Sequence, residues 1–179
     1  MSEKMRNTAS KNMALASICA SMSTMLLCVG FYLGIGDFIW YFFASFAFIP
    51  LLCKRLLRES VVAFFATTTL SLALCGFNYV FVLPFATLFG FYPMMYYYLA
   101  LKVKKNAARK MIKLLVFEFG MFMMWRFTYL FVGETEFLEK YMLPILLFFG
   151  IVLFFMYDYI IMRLIFLCNY YMRKLEKKK

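Results

Sequence analysis

The sequence contains no histidine among its 179 residues. This absence removes the commonest general base, the commonest transition-metal ligand and the usual partner of a nucleophilic serine or cysteine. The sequence also lacks a phosphate-binding loop of the GxxxxGK[ST] type, so the chain cannot hydrolyse ATP by that route. We therefore predict a protein that is not an enzyme and that holds no cofactor.

Acidic residues are scarce, and the cysteines are scattered. The chain has 9 Asp and Glu against 20 Lys and Arg. Its five cysteines show neither CxxC nor any other metal-binding spacing, and most of them lie within apolar segments or at their ends. We expect these cysteines to serve as small apolar packing residues, and we predict no metal site.

Apolar side chains are what the sequence has in excess. Hydrophobic residues make up 65% of the chain and aromatic residues 22%, and the charged residues fall into short blocks between long apolar segments. A single soluble core could not bury so much apolar surface, so the bilayer must solvate most of it. The sequence predicts an all-α, polytopic membrane protein with one membrane domain.

Windows of about 20 residues locate six apolar segments, each a predicted transmembrane helix. Residues 13–168 form the predicted six-helix membrane domain, between a basic N-terminal segment, 1–12, and a basic tail, 169–179. The second segment is the least regular, because its fully apolar part from Phe38 to Cys53 is short enough to lie tilted or partly in the interface. The predicted spans are 13–35, 38–56, 60–77, 79–101, 114–133 and 141–167.

Lysine and arginine concentrate on one side of this arrangement. Nearly all of the 20 precede span one, follow span two, lie between spans four and five or close the chain; Lys140 alone lies on the other side. Both termini are therefore predicted to be cytoplasmic, in a multi-pass protein of the cell membrane. The net charge of +11 has the same origin. We predict contact with the lipid bilayer and no binding of nucleic acid.

Small residues recur at helical spacing in span one. Ala16 and Ala20 are four residues apart, and Ser17 and Ser21 repeat that spacing beside them. Such a face allows two helix backbones to approach closely. It serves either packing within the bundle or docking onto a separate membrane subunit, and both interpretations stay open.

Four charged residues lie in or near the predicted bilayer, away from the basic segments, where each needs a partner. Glu118 and Asp158 have similar depths, and Lys113 and Arg163 can reach the same level. We predict a structural charge cluster there, with proton-coupling sites of a carrier as the alternative. The four are Asp37, Glu118, Arg126 and Asp158.

Arg126 lies about 10 Å from the predicted outer end of span five. It either pairs with a carboxylate such as Asp37 or Glu134, or faces a cavity open to the outside. Aromatic and amide side chains at similar depth could line such a cavity, and an arginine among aromatics favours an anionic or aromatic solute. The candidate solute-binding residues are Arg126, Trp125, Tyr129, Trp40, Asn78 and Tyr92.

The fourth span contains a break, in the sequence "LPFATLFGFYPMMYYYLALKVKK". Pro93 removes the backbone hydrogen bond to Phe89, and Gly90 stands in the same turn, so a bend and a hinge are predicted there. The freed carbonyl needs a partner inside the protein, so residues 89–93 should face the bundle rather than lipid. Packing alone is the alternative reason for a bend.

The stretch "FVLPFATLFGFYPMMYYYL" resembles a recurring "LP…LFGYYP" signature of small Firmicute membrane proteins grouped with S components. S components are the substrate-binding membrane subunits of energy-coupling factor transporters. The stretches "RKMIKLLVFE" and "MYDYIIMRL" also resemble that group, whereas Glu118 stands where the group more often has a neutral residue. No vitamin-specific binding motif is recognisable.

The resemblance implies a six-helix bundle that binds a vitamin or a similar small-molecule solute from outside. It also implies assembly with a membrane coupling subunit and two cytoplasmic ATPases, through an AxxxA-type face on the first helix that Ala16 and Ala20 match. The expected function is the substrate-binding subunit of a micronutrient uptake transporter. A non-catalytic membrane scaffold or assembly protein of the cell envelope is the alternative.

Overall fold

The computed structural model describes residues 3–132 and 142–176, and these residues form helices joined by short turns, with no strand among them. Each predicted apolar segment falls on one helix or on consecutive helices, and the fourth also contains a π-helical turn. The elements are α1 (Glu3–Leu33), α2 (Asp37–Phe46), α3 (Ile49–Cys53), α4 (Leu57–Leu74), α5 (Tyr79–Pro84), a π-helical turn (Phe85–Phe89), α6 (Tyr92–Lys102), α7 (Asn106–Val132) and α8 (Met142–Glu176).

In this part of the chain, four helical segments are long and apolar enough to cross a membrane. A fifth apolar segment, Asp37–Cys53, is shorter, as expected for the second span. The protein is therefore a membrane protein by the length and composition of its helices. The four segments are Ala9–Leu33, Leu57–Leu74, Tyr79–Lys102 and Leu147–Tyr171.

The two basic terminal segments are largely helical. α1 begins at Glu3, and α8 continues to Glu176. No glycine or proline separates either basic segment from the adjoining apolar helix, so nothing in the sequence ends the helix there. Both helices are thus longer than the apolar segments that they contain.

Within the described residues, the turns between the long helical segments fall at two opposite ends of the bundle. At the distal end, formed by residues 31–37 and 74–81, the Tyr32 hydroxyl donates to the Leu74 carbonyl at 3.1 Å. At the basic end, formed by residues 53–58 and 102–113, the Cys53 thiol lies 3.9 Å from the Ile165 carbonyl of α8. The lysine-rich segments thus gather at one end and the glycine-containing turns at the other.

A run of aromatic side chains in contact with one another crosses the middle of the bundle. Ring centroids are 5.7 Å apart between Tyr41 and Phe89, 5.5 Å between Phe89 and Tyr157, and 4.9 Å between Tyr157 and Tyr92. All four side chains are buried, and Tyr157 is 0% exposed. We call these four residues the aromatic column. It joins α2, the interrupted helix and α8 into one core.

The predicted break in the fourth span is present. Residues 85–89 form a π-helical turn in which the Gly90 amide donates to the Phe85 carbonyl at 2.7 Å, and α6 restarts with Pro93 in its first turn. Pro93 is tolerated there because amide hydrogens in the first turn of a helix have no acceptor within that helix, so the proline loses no hydrogen bond. The Phe89 carbonyl accepts a hydrogen bond from the Tyr157 hydroxyl at 2.8 Å. The expectation that this carbonyl meets protein is confirmed.

Gly90 and its neighbours are buried, except for Phe91, which is 45% exposed. A Cβ atom on Gly90 would lie 2.7 Å from Cε2 of Phe64, well inside van der Waals contact. α4 therefore packs directly against the backbone of the break. The close approach explains the glycine without any need for backbone freedom at this position.

Ala16 and Ala20 lie inside the bundle, at 3% and 6% exposure. The Thr67 hydroxyl of α4 donates to the Ala20 carbonyl at 3.3 Å, so the small face brings α1 and α4 together. Of the two interpretations, packing within the bundle is the one this arrangement fits. Ser17 is exposed, and its hydroxyl donates to the Met13 carbonyl of its own helix at 3.1 Å.

Candidate functional site

A cavity of about 410 Å³ opens at the distal end of the bundle. Residues from the end of α1, the first half of α2 and one face of α5 surround it. Its volume falls within the range of small-molecule sites in proteins. It is lined by Phe31, Gly34, Asp37, Phe38, Tyr41, Asn78, Val80, Phe81 and Pro84.

Two tight turns shape the rim of this cavity. Gly34 and Gly36 adopt left-handed φ values of 63° and 70°, which lets α1 reverse into α2 within three residues. The Trp40 indole donates to the Ile35 carbonyl at 3.1 Å and holds this turn closed. On the opposite rim, the Asn78 side chain caps α5 by accepting from the Phe81 amide at 3.1 Å.

Aromatic rings form the wall and floor. Phe31 meets Phe81 edge to face at 5.2 Å, and Phe81 lies 5.3 Å from Tyr41. Phe38 meets Tyr41 edge to face at 6.3 Å. The Tyr41 hydroxyl donates to the Phe81 carbonyl at 2.7 Å, so it is already used within the fold. The rings are locked by one another before any ligand arrives.

Asp37 is the one charged side chain among the described residues that line the cavity. It is exposed and begins α2, where the helix dipole favours a negative charge. The remaining polar side chains of the lining are Asn78 and Tyr41. The site therefore offers one carboxylate, one amide and a set of aromatic faces.

The candidate solute-binding residues do not come together in this cavity. Asn78 lines it, and Trp40 stands beside it in the turn without being part of the lining. Tyr92 lies elsewhere, in the aromatic column, with its hydroxyl directed at Asp158 at 2.7 Å. Helical spacing gives depth along a span but not direction, and the π-helical turn changes the direction of every residue after it.

Arg126 also lies apart from the cavity. Its side chain is exposed, with the guanidinium carbon 6.0 Å from the ring centroid of Trp125, and it has no carboxylate partner in the described part of the chain. The expected pairing with Asp37 is thus not formed. Glu134 lies outside the described residues, and so does the side chain of Tyr129, whose backbone belongs to α7.

Part of the predicted charge cluster exists at the basic end. The Lys113 ammonium lies 2.8 Å from a carboxylate oxygen of Asp158, with exposures of 5% and 19%. Tyr92 donates to the same oxygen, and the ammonium stands 3.6 Å from the ring centroid of Tyr96. Because Asp158 accepts from both a cation and a hydroxyl, its charge is well compensated. Neither tyrosine contact follows from the spacing of charged residues alone.

Glu118 and Arg163 do not join this cluster. The Arg163 guanidinium donates to the exposed Tyr159 hydroxyl at 3.2 Å, one turn away on α8. Both carboxylate oxygens of Glu118 are buried and lack a hydrogen-bond partner within residues 3–132 and 142–176. They face Gly150, where an added Cβ would lie 2.8 Å from the nearer oxygen. The glycine on α8 leaves the space that the Glu118 carboxyl group fills.

The aromatic lining of the cavity was not predicted. The one local signal was the sequence "GIGDF" between two apolar segments, a tight turn followed by a carboxylate at a helix start.

Within the described residues, no three His, Cys, Asp or Glu side chains stand close enough to hold a metal ion. Comparison with protein-family models, curated proteins and solved structures finds no match to this chain.

Proposed function

We propose that this chain is the substrate-binding membrane subunit of an uptake transporter, of the same type as the S components of energy-coupling factor systems. The observation that carries the proposal is the cavity of about 410 Å³ at the end of the bundle opposite to the lysine-rich segments. A preformed cavity of this size is typical of small-molecule sites, which favours solute binding over a purely scaffolding function.

The proposed topology has six spans and two cytoplasmic termini in the cell membrane. It rests on the six apolar segments of the sequence, four of which form helices long and apolar enough to cross a membrane, and on the positive-inside rule, which orients a protein by the side that carries lysine and arginine. In this orientation the basic end faces the cytoplasm and the cavity opens to the outside. A solute then enters from the side on which an uptake system meets its cargo.

The aromatic column lies on the inner side of the cavity floor and supports the same proposal. Tyr41 belongs both to the cavity floor and to the column, and the rings beyond it, Phe89 and Tyr157, are fully buried. The cavity thus ends in a packed core and does not continue as a pore. A subunit that captures a solute and passes it on by a change of shape needs such a closed floor, whereas a channel does not.

The chain has no phosphate-binding loop, so the energy for transport would come from a partner or from a gradient. We propose a membrane coupling subunit and two cytoplasmic ATPases, as the S-component resemblance implies. Ala16 and Ala20 are buried, so they are not the docking face in this conformation. Ser17 and Ser21, on the exposed side of α1, are the small residues that remain available to another helix.

The test is affinity purification of the full chain in mild detergent, followed by mass spectrometry of proteins and retained small molecules. We expect recovery of a coupling subunit, two ATPases and a bound solute. Recovery of a cell-envelope complex without ATPases would contradict the proposal and support the scaffold function. Replacing both Ser17 and Ser21 by Leu should abolish recovery of the ATPases and preserve the solute, and Ile18→Leu, at an equally exposed position, should change neither.

A further inference from the structure

The chemistry of the distal cavity indicates which solutes it accepts. We infer that the cavity binds a small organic cation, a quaternary or protonated amine attached to a small apolar body. The inference rests on the proposed function for its biological meaning, but the binding chemistry that it states is independent of transport.

The first step of the argument is charge. Asp37 is the single charged side chain among the described lining residues, in a chain whose net charge is +11. An anionic solute would meet this carboxylate with no cation beside it among the described lining residues, and a neutral solute would gain nothing from its charge. The expectation of an anionic solute rested on Arg126, which does not line the cavity. Charge complementarity therefore favours a cation.

The second step is the wall. Phe31, Phe38, Tyr41 and Phe81 surround the cavity with ring faces and edges within contact distance of one another. Aromatic faces attract cations through the ring quadrupole, and the attraction is largest for organic cations that shed their water easily. The aromatic rings and the carboxylate are independent features of the lining, and both favour an organic cation.

The third step excludes a metal ion. One carboxylate and one amide are too few oxygen ligands for Ca²⁺, which takes six to eight, and too few carboxylates for a dedicated Mg²⁺ site. The Asn78 side-chain oxygen already accepts a hydrogen bond from the Phe81 amide, so it is less available as a metal ligand. A volume of about 410 Å³ is also far larger than a bare ion requires and suits a small organic molecule.

Calorimetric titration of the purified full chain with three matched probes tests the inference. The probes are choline, 3,3-dimethylbutan-1-ol, which replaces the cationic nitrogen by carbon, and 3,3-dimethylbutanoate, which carries the opposite charge. We expect choline to bind at least about tenfold more tightly than either of the others, because only choline satisfies both Asp37 and the rings.

Two pairs of variants locate the site. Asp37→Asn should weaken choline binding about tenfold, whereas Glu59→Gln, a carboxylate in the first turn of α4 at the basic end, should not change it. Phe38→Leu should weaken choline binding several-fold through loss of a ring face, whereas Phe43→Leu, equally exposed on α2 but outside the lining, should not. Asp37 is exposed and Phe38 is 47% exposed, so we expect both variants to fold.

Three results would overturn the inference: equal choline affinity in Asp37→Asn, tighter binding of the carboxylate than of choline, or no binding of any probe at millimolar concentration. These failures differ from failure of the proposed function. If the chain is recovered with ATPases but prefers the anionic probe, the transporter proposal is supported and the inferred ligand class is wrong. If the chain binds choline but is never recovered with ATPases, the ligand class is supported and the transporter proposal is wrong.

Discussion

The Tyr157 hydroxyl of α8 donates to the Phe89 carbonyl at 2.8 Å, and Phe89 is the residue whose helical partner Pro93 removes. A side chain on one helix thus replaces a main-chain donor that is missing from another. The Tyr157 oxygen also lies 2.8 Å from the Ser45 hydroxyl of α2, so three elements meet at one phenol. In the bilayer interior no water can take this role, which makes the contact a structural requirement of the break.

Tyr157→Phe should lower the free energy of unfolding by about 1 kcal/mol, because the Phe89 carbonyl then stays buried without a side-chain donor. Thermal unfolding in detergent, followed by size-exclusion chromatography, measures the change. Tyr159→Phe is the matched control, since that hydroxyl lies on an exposed side chain and accepts a hydrogen bond from Arg163 of its own helix. Equal melting temperatures for the two variants would show that the break does not depend on the phenol.

Lys113→Met should destabilise the protein by about 3 kcal/mol, because it leaves the Asp158 carboxylate poorly compensated in a largely buried position. Lys110→Met, at an exposed position of α7, should have little effect. The double variant Lys113→Met, Asp158→Asn should recover part of the lost stability, since no uncompensated charge remains. Additive losses in the double variant would mean that the pair contributes nothing as a pair.

Gly90→Ala should cost about 1–3 kcal/mol through overpacking, since the new methyl group would lie 2.7 Å from the Phe64 ring. Phe64→Leu in the same chain should restore part of that loss by removing the ring edge. The rescue should be partial, because the methyl group would also lie 2.9 Å from Cζ of Phe85; one melting experiment compares the two variants. If Phe64→Leu does not rescue Gly90→Ala, the glycine is required for some other reason.

Ala20→Leu should reduce both the yield of folded protein and its melting temperature, because the larger side chain separates α1 from α4. Ser17→Leu, three residues earlier on the exposed side of the same helix, should be tolerated in the isolated chain. The measurement is the fraction of monodisperse protein after solubilisation. An unchanged yield for Ala20→Leu would instead support the interpretation that this face docks onto a separate membrane subunit.

The positions of the helices follow closely from the sequence. Apolar segments of membrane length, a proline with a glycine in the same turn, and charged residues at the segment ends are local signals that need no tertiary information. The break at residues 85–91 is the clearest case, because Pro93 dictates which carbonyl loses its partner. Which side chain replaces that partner depends on how α8 packs, and Tyr157 is one of many tyrosines in the chain.

The candidate site was harder to predict, because binding residues are selected by direction as well as by depth. Trp40, Asn78 and Arg126 were grouped by depth alone, yet they face the α1–α2 turn, the cavity and the outer surface of α7, respectively. The orientation of a helix about its own axis depends on the helices around it. Ala16 illustrates the same point, since a small face is equally suited to an internal and to an external neighbour.

The π-helical turn has a consequence for how the fourth apolar segment tolerates changes in length. A turn with i to i+5 hydrogen bonds contains one residue more than a regular α-helix needs, so it acts as a phase shift between α5 and α6. If the same residues were wound as a regular α-helix, α6 would be rotated by about 100° relative to α5, and Tyr92 would swing away from Asp158. Deleting one residue from the turn removes the extra residue, so the segment can become a regular α-helix while α6 keeps its orientation toward α8.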